Sequence, residues 1–133
     1  MALTLEVASP TRLVVAETVD EVVIPGSMGY FGVLPGHAPL LATLGVGDLS
    51  YRQGQAVHHL AISGGFAEVR NDKVIVLAER AERPQEIDRD RAQRARERAE
   101  RRLSGREGDI DFVRAQLALA RALIRLEVAS RNQ

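Results

Sequence analysis

The chain has 133 residues, 45% of them hydrophobic and 27% charged, which is typical of one folded domain or of a small domain with an appendage. It contains no cysteine, no apolar run that spans a bilayer and no recognisable signal peptide, so disulfides and thiolate metal sites are excluded and a reducing, cytosolic compartment is expected. The net charge is zero, but residues 1–87 hold 6 basic and 10 acidic side chains and residues 88–133 hold 12 and 8, which predicts two modules with different surfaces.

The first module is predicted to consist of strands. Between Ala2 and Ala81, short β-branched segments alternate with turn residues at a spacing of about ten residues. Leu3, Leu5 and Val7 recur with a period of two, as in a half-buried strand. The predicted turns are Pro25-Gly26, Pro35-Gly36, Gln53-Gly54 and Asn71-Asp72, with a bend or bulge at Ser63–Gly65. This pattern predicts an antiparallel β-sandwich or barrel.

The second module is predicted to be a pair of helices. After Pro84, Asp88 is placed to cap a helix whose apolar positions recur at helical spacing: Ala92, Ala95, Ala99 and Leu103. Ser104-Gly105 and Gly108 interrupt the pattern, and Asp109 or Asp111 caps a second helix that runs toward Arg131. So short a break predicts an antiparallel helical hairpin.

The second helix is predicted to carry two apolar stripes. One stripe can face the first helix. The other requires the sandwich, another protein or a hairpin that changes its packing.

The glycine-rich stretch GYFGVLPGHAPL (residues 29–40) matches neither phosphate-binding glycine motif and is read as a structural corner. His37 has only Ser27 and Asp48 as candidate catalytic partners, in no recognisable arrangement. His58 and His59 point to opposite faces of a strand, which disfavours a shared metal. A small His37-dependent hydrolase stays open as a remote alternative.

The arginines of the predicted hairpin suggest an anion site. If the turn centres on Arg106, facing positions sum to about 212, so that Arg91 lies level with Arg121, Asp88 with Arg125 and Arg98 with Arg114. Guanidinium groups that converge repel one another unless an anion lies between them, and they bind phosphate bidentately. A nucleic-acid ligand is disfavoured because eight acidic residues dilute the charge and aromatic residues are missing from most of the hairpin.

Several motifs resemble the epsilon subunit of the bacterial F-type ATP synthase. They are PGHAPLL (35–41), ISGGFAEV (62–69), KVIVLAE (73–79) and DIDF (109–112), in the order of that family and over nearly the whole chain. The resemblance implies a ten-stranded sandwich in residues 1–84, bound to the gamma subunit and resting on the c-ring. It implies a regulatory helix–loop–helix in residues 85–133 and a non-catalytic place in the central stalk.

The segment Ile87–Ala92 (IDRDRA) fits the [IL]DxxRA motif with which ATP-sensing members of this family hold ATP. By this resemblance, Glu82, Ile87, Asp88 and Ala92 handle the adenine and ribose, and Arg91, Arg98, Arg121 and Arg125 meet the phosphates. ATP is implied as a regulatory ligand, with the need for magnesium left open, and no catalytic or protein-bound metal site is implied.

The implied mechanism is a switch between a hairpin folded on itself and one extended toward the alpha and beta subunits, where it blocks ATP hydrolysis. The implied location is the cytoplasmic face of the cell membrane, reached only through the complex. Tyr30, Gly36 and His37 are implied rotor contacts, although Tyr30 stands where the family often has a carboxylate. Pro84-Gln85 also departs from the family pattern and puts the position of Glu82 in doubt. A purely structural coupling subunit without ATP sensing is the main alternative.

Overall fold

The computed structural model describes residues 2–105 and 111–131. The chain divides into two compact units, Met1–Glu82 and Arg83–Gln133. The first unit is built of strands and the second of helices, so the change of pattern near Pro84 coincides with a change of structure.

In the described part of the chain, eight strands form one hydrogen-bonded sheet in the order β2-β1-β8-β7-β6-β3-β4, with β5 paired to β7. Within the described residues, six of the seven strand pairings are antiparallel, but β1 and β8 pair in parallel, so the prediction of a wholly antiparallel sheet was wrong at this one pair. The strands are β1 (Leu3–Ser9), β2 (Arg12–Val19), β3 (Glu21–Gly26), β4 (Gly29–Val33), β5 (Leu40–Thr43), β6 (Val46–Gln53), β7 (Ala56–Arg70) and β8 (Lys73–Glu82).

The core explains why the sheet must fold over on itself. Leu3 and Leu5 of β1 are fully buried in the same cluster as Val22 and Ile24 of β3, although three strands separate β1 from β3 in the sheet. Side chains on such distant strands share one core only if the sheet closes into two facing layers. The predicted sandwich is therefore confirmed.

A bend in β7 allows this closure. Gly64 (φ 69°) and Gly65 (φ 115°) have left-handed backbone, which residues with a side chain rarely adopt. Before the bend β7 pairs with β6, and after it with β5, while its register with β8 continues without a shift. The predicted feature at Ser63–Gly65 is thus a bend and not a bulge. The described chain has eight strands and not the ten that the family resemblance implied; the continuity of β7 through its bend accounts for one of the two missing strands.

The turns are partly as predicted. Asn71 (φ 52°) and Asp72 (φ 58°) form a tight left-handed turn, and Gly54 (φ 62°) opens the turn between β6 and β7. Pro25-Gly26 is wrong as a turn, because both residues belong to β3 and pair with β4; the chain reverses two residues later. Pro25 is tolerated there because β6 pairs only with residues 21–23 of β3, so the missing N–H costs no ladder bond.

The helical unit contains a short 3₁₀ helix (Pro84–Glu86), α1 (Arg89–Leu103) and α2 (Phe112–Ala129). Asp88 Oδ1 caps α1 by accepting from the Arg91 N–H at 3.1 Å, and Asp111 Oδ1 caps α2 by accepting from the Arg114 N–H at 3.1 Å. The other predicted cap, Asp109, and the predicted break at Gly108 lie outside the described residues. Within the described chain, no helix combines the length and apolar character that crossing a membrane requires.

Candidate functional site

The two long helices meet along a seam of alanines. Ala92 and Ala99 on α1, and Ala115 and Ala122 on α2, are each at most 2% exposed, and the helices pack against each other. The Nη2 of Arg89, at the start of α1, donates to the carbonyl of Ala129, at the end of α2, over 2.6 Å. The helices therefore run antiparallel, as predicted, with small residues that allow close approach.

Each seam alanine directly follows an arginine: Arg91, Arg98, Arg114 and Arg121. A side chain one position before a seam alanine points about 100° away from that alanine around the helix axis. In an antiparallel pair, this rotation carries the side chains of both helices toward the same edge. Arg125 is three positions after Ala122 and lies on that edge as well. We call these five residues the arginine edge.

The arginine edge has unbalanced positive charge. In the described part of the chain, the guanidinium groups of Arg91, Arg98 and Arg121 make no hydrogen bond or ion pair. Arg91 and Arg98 are exposed, whereas Arg121 and Arg125 are half-buried. Charges of one sign along one edge repel each other, and a multivalent anion placed along the edge would remove that repulsion.

The other predicted ATP contacts occupy different environments. Ile87 is buried and joins the 3₁₀ helix, which contacts α2, to the start of α1. Asp88 is exposed, and one of its carboxylate oxygens is already engaged as the cap of α1. Ala92 is fully buried in the seam. Glu82 is half-buried at the end of β8, paired with Ala61, and belongs to the first unit. The helical unit thus contains the IDRDRA segment and the four predicted phosphate contacts, which are Arg91, Arg98, Arg121 and Arg125. Glu82 belongs to the other unit.

The predicted rotor contacts lie on two anchored segments, the start of β4 and the turn that follows β4. The Tyr30 hydroxyl accepts a hydrogen bond from the Asp48 N–H at 2.9 Å, and a side chain at Gly47 would collide with that ring. Pro35 and Gly36 (φ 86°) form the predicted turn, which the His37 N–H closes by donating to the Leu34 carbonyl at 3.1 Å. The Gly36 N–H also donates to Asp72 Oδ1 at 2.7 Å.

The histidines form no catalytic arrangement with the partners considered from the sequence. The His37 ring bonds to the backbone carbonyl of Ala38, Ser27 bonds to Thr43, and Asp48 bonds to His59 at 2.9 Å. His58 stacks on Tyr51 on the opposite face of β7 from His59. In the described chain, no group of three or more histidine, aspartate or glutamate side chains is arranged to hold a metal.

An exposed apolar strip on the sandwich was missed by the sequence reasoning. Leu13, Ala8, Leu77 and Phe66 lie in register across β2, β1, β8 and β7, and the three larger side chains are each more than half exposed. A cavity of about 300 Å³ lies beside them. The unbroken apolar run Val74–Ala78 was the available signal, because a strand that is apolar on both faces is usually covered on both.

Comparisons with known proteins match both units. Residues 2–84 match the family described as "ATP synthase, Delta/Epsilon chain, beta-sandwich domain". Residues 85–130 match the family described as "ATP synthase, Delta/Epsilon chain, long alpha-helix domain".

Curated relatives belong to the same family. The ATP synthase epsilon chain of Nitratidesulfovibrio vulgaris is 51% identical over 96% of this chain and 95% of its own length. That of Syntrophobacter fumaroxidans is 52% identical over 96% of both chains. Among solved structures, a chain of the Euglena gracilis mitochondrial ATP synthase has a TM-score of 0.76 at 25% identity, covering 98% of this chain and 82% of that one. A chain of the Tetrahymena thermophila enzyme, at 12% identity and a TM-score of 0.59, shares the fold. The chain therefore belongs to the family of ATP synthase delta/epsilon chains.

Proposed function

We propose that this chain is a non-catalytic subunit of the central stalk of a proton-translocating F-type ATP synthase. Residues 1–84 bind the gamma subunit and rest on the c-ring, and residues 85–133 form a regulatory hairpin. Family membership and the similarity to a chain from an assembly of OSCP, F1 and c-ring support this role. The subunit acts at the cytoplasmic face of the cell membrane and is held there through the complex.

The arginine edge is the single observation that carries the regulatory part of the proposal. The guanidinium groups of Arg91, Arg98 and Arg121 make no hydrogen bond or ion pair in the described part of the chain, which suits binding of the triphosphate of ATP. Arg125, on the same edge, is the fourth phosphate contact. Ile87, Asp88 and Ala92 hold the base and ribose, and Glu82 is the further contact that the family motif implies. ATP is a regulatory ligand in this scheme and is not consumed by the chain.

The regulation is a shift between two hairpin states. ATP cancels arginine repulsion only when the two helices lie side by side, so it favours the folded hairpin. Without ATP the helices separate and reach the alpha and beta subunits, where they oppose ATP hydrolysis. A tenfold preference of ATP for the folded state contributes only about 1.4 kcal/mol, so the two states must be close in free energy.

The apolar strip is the surface that we assign to the gamma subunit. Three exposed large apolar side chains in register across neighbouring strands are typical of a protein interface. Tyr30, Gly36 and His37 are the contacts that we assign to the c-ring. Because the Tyr30 hydroxyl is bonded to the Asp48 N–H, this position presents an aromatic ring in place of the family's carboxylate.

Calorimetric titration of the isolated chain with ATP tests the regulatory proposal. Arg121→Ala should weaken binding about tenfold or more, because a hydrogen bond to a charged group is worth about 1.5–3 kcal/mol. Arg94→Ala is the matched control, since Arg94 lies two residues after Ala92, faces away from the seam and is exposed.

Absence of binding to the unsubstituted chain at millimolar ATP, or equal loss in Arg94→Ala, would rule out ATP sensing. The chain would then be a purely structural coupling subunit.

A further inference from the structure

At the open end of the hairpin, the side chain of Arg89 forms a hydrogen bond that bridges the two helices. The far end of the two helices is joined covalently by residues 104–111, but the start of α1 and the end of α2 have no such link. Arg89, the first residue of α1, spans this gap and donates to the Ala129 carbonyl over 2.6 Å. The [IL]DxxRA motif leaves the position of Arg89 unspecified, so the motif assigns it no role.

The Ala129 carbonyl needs such a partner. The last four carbonyls of an α-helix have no partner within the helix. Here the Ser130 N–H bonds to the carbonyls of Leu126 and Glu127, and the Arg131 N–H bonds to that of Val128. Within the described residues, the group that bonds the fourth carbonyl is Arg89.

The charge of Arg89 also suits this position. The carboxyl end of a helix carries a partial negative charge that a nearby cation stabilises. The last turn of α2 contains no basic residue of its own. The first turn of α1 therefore supplies the cation that the last turn of α2 lacks.

We propose that Arg89 is a positioning residue that biases the hairpin toward its folded state without contacting ATP. This proposal rests on the proposed function. Arg89 sets the population of folded hairpin before the nucleotide arrives, and the apparent affinity for ATP scales with that population. Loss of Arg89 should then open the hairpin from the end where no covalent link holds it.

The test measures the distance between the helices directly. Since the chain has no cysteine, Gln93→Cys and Leu123→Cys provide two unique spin-label sites on the edge opposite the arginines. Without nucleotide, Arg89→Ala should add a population with longer distances, which saturating ATP should remove. Arg89→Lys should restore the short distance in part, and Arg94→Ala should leave it unchanged.

The proposal also predicts a change in ATP binding for the same variants. Arg89→Ala should raise the apparent Kd about three- to tenfold, which corresponds to about 0.7–1.4 kcal/mol. An Arg89→Ala distance distribution identical to that of Arg94→Ala would overturn the proposal. If no form of the chain binds ATP, the ATP-sensing part of the proposed function fails, but the nucleotide-free distances still decide the role of Arg89.

Discussion

Gly65 shows how a single residue permits the sandwich to close. Its backbone is left-handed (φ 115°), and a Cβ added there would lie 2.0 Å from the Leu77 carbonyl oxygen of the neighbouring strand. The three nearest atoms are all backbone atoms of Leu77 and Ala78 on β8, so no flexible side chain can move aside. Gly54 is also left-handed (φ 62°), but it lies in a turn where nothing stands within 4 Å of an added Cβ.

This contrast gives a prediction for the free energy of unfolding. Gly54→Ala should cost about 1 kcal/mol, from backbone strain alone. Gly65→Ala should cost at least about 2 kcal/mol more, because the overlap with β8 adds to the strain. Urea unfolding of both variants checks this, and equal losses would contradict the described role of the bend. If Gly65→Ala does not fold at all, it is still the more destabilising of the two substitutions, as predicted.

At the scale of elements, the alanine seam makes the hairpin close-packed but only weakly stabilised. A buried alanine contributes little apolar area, so few kcal/mol oppose separation of α1 and α2. The same small side chains bring the arginines on both helices toward each other. In the proposed switch, the same residues therefore provide both the close packing and the reversibility.

Ala99→Leu should disrupt this seam. Extra methyl groups in a packed interface typically cost about 1–3 kcal/mol, so we expect the helices to melt earlier and ATP to bind more weakly. Gln116→Leu, on an exposed position of α2, is the control. Far-UV circular dichroism during heating, with and without ATP, measures both effects. Unchanged melting of Ala99→Leu would show that α1 and α2 do not pack through this seam.

At the scale of the whole molecule, features set by local sequence patterns could be predicted, whereas contacts between distant segments could not. The alternation of Leu3, Leu5 and Val7, and the arginines placed before seam alanines, follow from strand and helix periodicity and could be predicted. The parallel pairing of β1 with β8 could not, because the two strands are far apart in sequence. Arg89 was missed for a related reason: its partner depends on where α2 ends.

The central claim is that the hairpin controls ATP hydrolysis by the assembled ATP synthase, and that ATP bound at the arginine edge favours the folded, non-inhibiting hairpin. The most direct measurement is the rate of ATP hydrolysis by the complex rebuilt with the unsubstituted chain, Arg121→Ala or Arg94→Ala, over a range of ATP concentrations. We predict that the complex with Arg121→Ala stays inhibited at ATP concentrations that activate the other two. Identical rates in all three complexes at every concentration would contradict the account.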